Sequence, residues 1–173
     1  MPSNETPDTK SSIPVTGVVP LDQMAGDDEE DTALLREMAE SAENCLKSFS
    51  WCLAVRDSFF GAGIGKIIAV FLFRISPARH DIDEWLWVVV GDMPPAYLVT
   101  ECCKTPSEAI EAYIEEMSKW VEHARRGQES AEVIPVNVPA TPEWAENLNK
   151  RLETLRATIL PEITLRLDPP SKL

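Results

Sequence analysis

Histidine is nearly missing from this chain: 173 residues hold only His80 and His123. The four cysteines, Cys45, Cys52, Cys102 and Cys103, contain no Cys-x-x-Cys pair. A structural zinc site needs about four ligands in a recognisable spacing, so no metal is expected. The neighbours Cys102 and Cys103 are either reduced thiols or a strained vicinal disulfide, and reduced thiols are the ordinary state of a cytosolic core. A Ser-His-Asp arrangement is also missing. His80 sits in the polar run Arg79-His80-Asp81, where a general base is the one catalytic reading. His123 lies near the end of a predicted helix, an ordinary favourable place for a cation.

Long apolar runs are lacking too. The most apolar stretch, Ile67 to Phe73, follows Lys66 and is far short of the roughly twenty residues that a membrane span requires. Met1 to Lys10 contain no apolar run of the signal-peptide kind. A soluble, cytoplasmic protein without a membrane partner is expected.

Basic residues are scarce, 16 against 29 acids, for a net charge of -13. The deficit is uneven. Residues 1–31 carry eight acids and one base, a net of -7, and the remaining residues carry -6. With no basic stripe, phosphate backbones are repelled and no nucleic-acid partner is expected. Mimicry of DNA by an acidic surface is the inverted alternative, but the body of the chain lacks the dense carboxylate ladder it needs.

What is present is a hydrophobic content of 44%, ample for one core. Residues 1–30 combine Pro2, Pro7, Pro14 and Pro20 with no aromatic residue and an acidic end, and predict a disordered acidic tail. A single α+β domain is expected over 31–162, with a C-terminal extension over 163–173. Leu35, Met38, Ala42, Cys45 and Phe49 recur at helical spacing and predict a helix over about 32–49. Four strands follow: Trp51 to Phe60, Ile67 to Ile75, Trp85 to Val90 and Ala96 to Thr100. Short links between them imply a mostly antiparallel four-stranded meander.

Two C-terminal helices packed on the sheet complete the expected fold. Thr105-Pro106-Ser107-Glu108 is a capping box opening the first, which Gly127 closes. Thr141-Pro142-Glu143 opens the second, with the stripe Trp144, Leu148, Leu152, Leu155 and Ile159 and a stop at Pro161. Both central strands carry apolar residues on both faces. Trp85, Trp87 and Val89, for example, oppose Leu86, Val88 and Val90. Such a sheet is either sandwiched by the chain's own helices or covered by a protein partner, a homodimer included.

The cluster Gly61, Gly63, Gly65 and Lys66 has the wrong spacing for a phosphate loop, and a glycine-rich hairpin or bulge accounts for it. The pairs Glu115-Glu116 and Asp81 with Asp83 read as solvated acids. The most distinctive run is Glu84-Trp85-Leu86-Trp87-Val88-Val89-Val90-Gly91-Asp92-Met93-Pro94-Pro95-Ala96-Tyr97-Leu98. It reads first as a tight interstrand corner. As a site it would be a rigid rim of Trp85, Trp87, Asp92 and Tyr97 for a partner or small ligand.

That run, with Phe71-Leu72-Phe73-Arg74-Ile75, Trp120, Pro135 and the Arg151 to Leu155 segment, resembles a family of small bacterial proteins of unknown function over about residues 50–162. The resemblance implies a bacterial source and supplies no activity, cofactor or catalytic residue. The expected function is a non-enzymatic interaction or regulatory module. The alternative is a small-molecule-binding protein or unrecognised enzyme with a pocket near Trp85, Trp87, Asp92 and Tyr97.

Overall fold

A computed structural model describes residues 12–130, 133, 134 and 136–167. The fold is α+β, with helices on both faces of one antiparallel sheet. Five strands run in sequence order: β1 (Val19–Pro20), β2 (Cys52–Ile64), β3 (Ile68–Pro77), β4 (Trp85–Gly91) and β5 (Met93–Val99). Among the described residues, no helix is long and apolar enough to cross a membrane.

The expected four strands become five because part of the expected tail is ordered. Val19 and Pro20 pair with Phe60 and Phe59 at the edge of β2. Val15 and Met24 bury their side chains, and the Thr16 N–H bonds the Lys104 carbonyl at 2.9 Å. Two buried apolar anchors offset part of the ordering entropy of this short segment. Residues 1–11 of that tail, and 168–173 of the expected C-terminal extension, lie outside the described residues.

The glycine-rich stretch does not end β2, which continues through Gly61 and Gly63 with an irregularity in pairing between Phe60 and Ala62. The first helix comes close at Gly63, where a Cβ would stand 2.9 Å from Leu35 Cδ2 and 2.8 Å from Ala69 Cβ of the neighbouring strand. That helix, α1 (Glu29–Lys47), starts earlier than its apolar stripe predicts. The Asp28 side chain caps it by accepting the Asp31 N–H at 2.8 Å, and three acids fill the first turn, at the positive end of the helix dipole.

Strand alternation divides the core. Ala69, Phe71, Phe73 and Ile75 of β3, with Leu86, Val88 and Val90 of β4, pack under α1. Ile68, Val70 and Leu72, with Trp87 and Val89, face α2 (Pro106–Arg125) and the helices beyond it. Both apolar faces are therefore covered from within the chain. The α2 helix opens as its capping box predicts, with Thr105 Oγ1 accepting the Glu108 N–H at 3.1 Å. It closes where Gly127 takes φ +66°.

Pro161 does not stop the last helix. A π-helical turn at Leu155–Ile159 follows α3 (Pro142–Thr154) and leads into α4 (Leu160–Leu167), making one continuous rod. In the widened turn the Leu160 N–H bonds the Leu155 carbonyl, five residues back. This places the wide turn directly ahead of Pro161, which has no N–H to give. The rod's buried stripe is Ala145, Leu148, Leu152, Leu155, Ile159 and Ile163, so Ala145 takes the inward place that the spacing assigned to Trp144.

Two predictions follow from this packing. Leu35→Ala should destabilise the fold by about 3 kcal/mol, since Leu35 is fully buried against Gly63. Leu53→Ala, at a site 68% exposed, should stay within about 0.5 kcal/mol by urea denaturation. The second concerns pH. Burial first, then the Cys102 thiol and the acids Glu108, Glu111 and Glu115, pushes the Cys103 thiol from 9.0 up to about 11, and burial also raises the Tyr113 phenol. The unfolded thiol ionises first, so the folded state holds more protons between these values. Stability should be complete below about pH 9 and fall as pH rises toward 11. Denaturant midpoints measured from pH 7 to 11 check this, and Cys103→Ala should flatten the decline.

Candidate functional site

Antiparallel register brings two turns to one end of the sheet. Ile68 pairs with Gly91, so the β2–β3 turn at Gly65-Lys66-Ile67 lies beside the β4–β5 turn at Gly91-Asp92-Met93. The Asp92 N–H donates to the Ile67 carbonyl at 3.1 Å. Gly91 is required at this crossing because an added Cβ would overlap the Ile67 carbonyl. From the other side, Asp31 Oδ1 accepts the Gly65 N–H at 2.7 Å and ties the first turn to the start of α1. Lys66 holds φ +69°, the left-handed region that a non-glycine residue enters at a cost of about 1 kcal/mol.

The second turn is held from the opposite face. The buried Tyr113 hydroxyl of α2 donates to the Pro94 carbonyl at 2.6 Å. Arg151 of α3 reaches over: its Nη1 donates to the Asp92 carbonyl at 2.6 Å and stands 3.5 Å from Asp92 Oδ1. Both side chains are more than half exposed, so the ion pair contributes little and the bond to the carbonyl is the stronger link.

This link separates two clefts. The first, of ≈ 780 Å³, lies between the turn and α3 and is lined by Pro94, Pro95, Trp120, Val136, Val138, Trp144 and Leu148, among others. The second, of ≈ 770 Å³, is lined by Met38, Lys66, Ile67, Thr154, Leu155 and Ile159. Gly91, Asp92, Met93, Lys150 and Arg151 belong to both. Volumes of this size suit a drug-sized ligand. The charged side chains along the second cleft are Lys66, Lys150 and Arg151 against Asp92 alone, a local excess of cations in a chain of net charge -13. Lys66 and Lys150 make no ion pair among the described residues.

Of the residues expected to form a rim, only Asp92 lines these clefts. Trp87 is fully buried, and its Nε1–H donates to the Cys103 carbonyl at 3.0 Å, so it presents no outward face. Trp85 is half-buried against Phe59 with the Arg74 guanidinium over its ring, at the far end of β4, roughly 20 Å from Asp92. Tyr97 pairs with Val88 and so points to the α1 face, where it meets Phe49 and Trp51 at ring distances of 5.5 and 5.2 Å. The four residues do not converge.

Trp144, Lys150 and Lys66 were not singled out as site residues by spacing. For Trp144 a signal existed. Ala145, Leu148, Leu152 and Leu155 complete the inward stripe without it, leaving an extra tryptophan that is 45% exposed. Elsewhere, His80 is exposed, Asp81 pairs with Arg79 at 3.4 Å, and Glu116 pairs with Lys119 at 2.6 Å. All four cysteines are free thiols. Among the described residues no group of three or more acids, histidines or cysteines is placed to hold a metal ion. Comparison with protein-family models, with curated proteins and with solved structures finds no match.

Arg151→Met should cost about 1 kcal/mol in stability, the net worth of one charge-assisted bond in a wet setting. Amide exchange at Asp92 should quicken several-fold, because that N–H is protected only while the turn stays against Ile67. Exchange in β3, at Phe71 and Phe73, should not change.

Proposed function

We propose that this chain is a non-enzymatic binding module whose working surface is the pair of clefts at the β4–β5 turn. The observation that carries this is the size and make-up of the clefts: two adjoining hollows of ≈ 780 and ≈ 770 Å³, largely apolar, with a few charged groups at the shared wall. Their lining among the described residues includes no histidine or cysteine. The one carboxylate, Asp92, is engaged by Arg151 and exposed rather than enclosed. A general acid or base works from an enclosed site, and Asp92 stands in an open one. Apolar walls with a few convergent polar groups are the make-up of a ligand site.

A protein-docking role is the second reading, supported by a different surface. Phe49, Trp51 and Tyr97 form a three-ring cluster on the α1 side, where Tyr97 is 42% exposed, and Leu53 stands 68% exposed. Among the described residues β1 pairs only with Phe59 and Phe60, which leaves the first half of β2 without a strand on that side.

Titration of the labelled protein with a panel of small aromatic and aliphatic compounds, followed by amide chemical shifts, separates the readings. Binding in the clefts should move Asp92, Met93, Lys150 and Thr154 together. Shifts confined to Phe49, Trp51 and Tyr97, or chemical conversion of any panel member, would overturn the cleft-binding proposal.

A further inference from the structure

We infer that the second cleft, between the β2–β3 turn and the π-helical turn, takes a small amphipathic anion: an aliphatic body with one carboxylate or similar head. This rests on the reading of the clefts as ligand sites and names the class of ligand. The walls differ between the two hollows. Trp120 and Trp144 line the first, whereas the second is aliphatic, formed by Met38, Ile67, Met93, Leu155 and Ile159. Ile67 is 42% exposed there, an apolar side chain left for a ligand to cover. The π turn contributes Leu155 and Ile159 to this wall, and such turns frequently accompany functional sites.

The polar end is equally specific. Among the described residues Lys66 and Lys150 flank the cleft without an acidic partner, while Arg151 is already occupied by Asp92. Throughout the rest of the chain acids outnumber bases, so the general field repels an anion. That repulsion is screened beyond about 8 Å at physiological ionic strength, whereas two ammonium groups at the rim act within it. Lys66 is also placed at a conformational cost. Its φ of +69° suits glycine, yet the residue is a lysine, and strained positions gather where a side chain is put to use.

The test uses the full chain, calorimetry, and three probes that share a ten-carbon body: decanoate, 1-decanol and decyltrimethylammonium. Decanoate should bind roughly tenfold more tightly than decanol, and the cation least of all. Lys66→Gly keeps the turn intact, because glycine takes a positive φ freely, and should weaken decanoate roughly two- to fivefold while leaving decanol unchanged. Lys150→Gln should do the same, and the double variant should abolish the preference for the anion.

Equal affinity for decanoate and decanol would overturn the ligand class while leaving the cleft as a site for neutral compounds. A preference for decanoate that survives both lysine substitutions, or that Trp144→Ala removes instead, would place the anion elsewhere and overturn the inference. Sedimentation with phosphatidylglycerol vesicles in the absence of decanoate binding would point to a membrane surface and likewise overturn it. Failure of all three probes, together with no cleft shifts from the wider panel, would overturn both the inference and the reading beneath it.

Discussion

Apolar side chains on both faces of β3 and β4 must be covered twice, and the rest of the molecule is arranged around that requirement. Phe71, Phe73 and Val88 point one way, Leu72, Trp87 and Val89 the other, and each is at most 1% exposed. Burying a side chain of this kind contributes about 1.5–3 kcal/mol, so leaving either face wet would remove an amount comparable to the whole stability of an ordinary domain. One helix ahead of β2 and the helices after β5 divide the task. The chain order is β1, α1, β2 to β5, α2 and then α3–α4, so α1 connects the edge strand β1 to its neighbour β2 and the remaining helices follow the meander.

Covering the two faces unequally shapes the site. On one side α1 lies close, in contact at Gly63, where no side chain intervenes. On the other side α2 occupies the middle, and the rod from α3 through the π turn to α4 lies beyond it, contacting the sheet end through Arg151. A rod held at its buried stripe and at one arginine leaves hollows on either side of that arginine. The clefts are thus a consequence of layering, and the turns at Lys66 and Asp92 decide which charges edge them.

The periodic parts of the fold were legible in sequence. Thr105-Pro106 and Thr141-Pro142 announce two helices by local hydrogen bonding, and the double-faced strands announce a covered sheet. Both are near-neighbour or period-two properties. What escaped was set by distant partners. Val19 and Pro20 form a strand only because Phe59 and Phe60 offer an open edge. Pro161 sits inside a helix because a wide turn precedes it. For the site, Asp92 was visible as an acid in a stiff corner, but the place of Trp87 depended on a carbonyl sixteen residues later, at Cys103. Alternation along β4 puts Trp85 and Trp87 on one face, while cross-strand register sets Tyr97 on the other. A run of consecutive residues cannot form one rim when pleating divides its members between faces.

Net charge carries a related lesson. A value of -13 describes the field far from the protein, where it governs solubility and the approach of other macromolecules. Recognition takes place within a Debye length, where the count that matters is local. At the second cleft that count has the opposite sign, with Lys66 and Lys150 free of acidic partners among the described residues and Asp92 spent on Arg151. Distant acids and near cations therefore act on different things. The former act on extended polyanions, whose charge spans tens of ångströms. The latter would act on a compact anion within the hollow, the ligand class inferred above, so that in an acidic protein size would decide which anions are admitted.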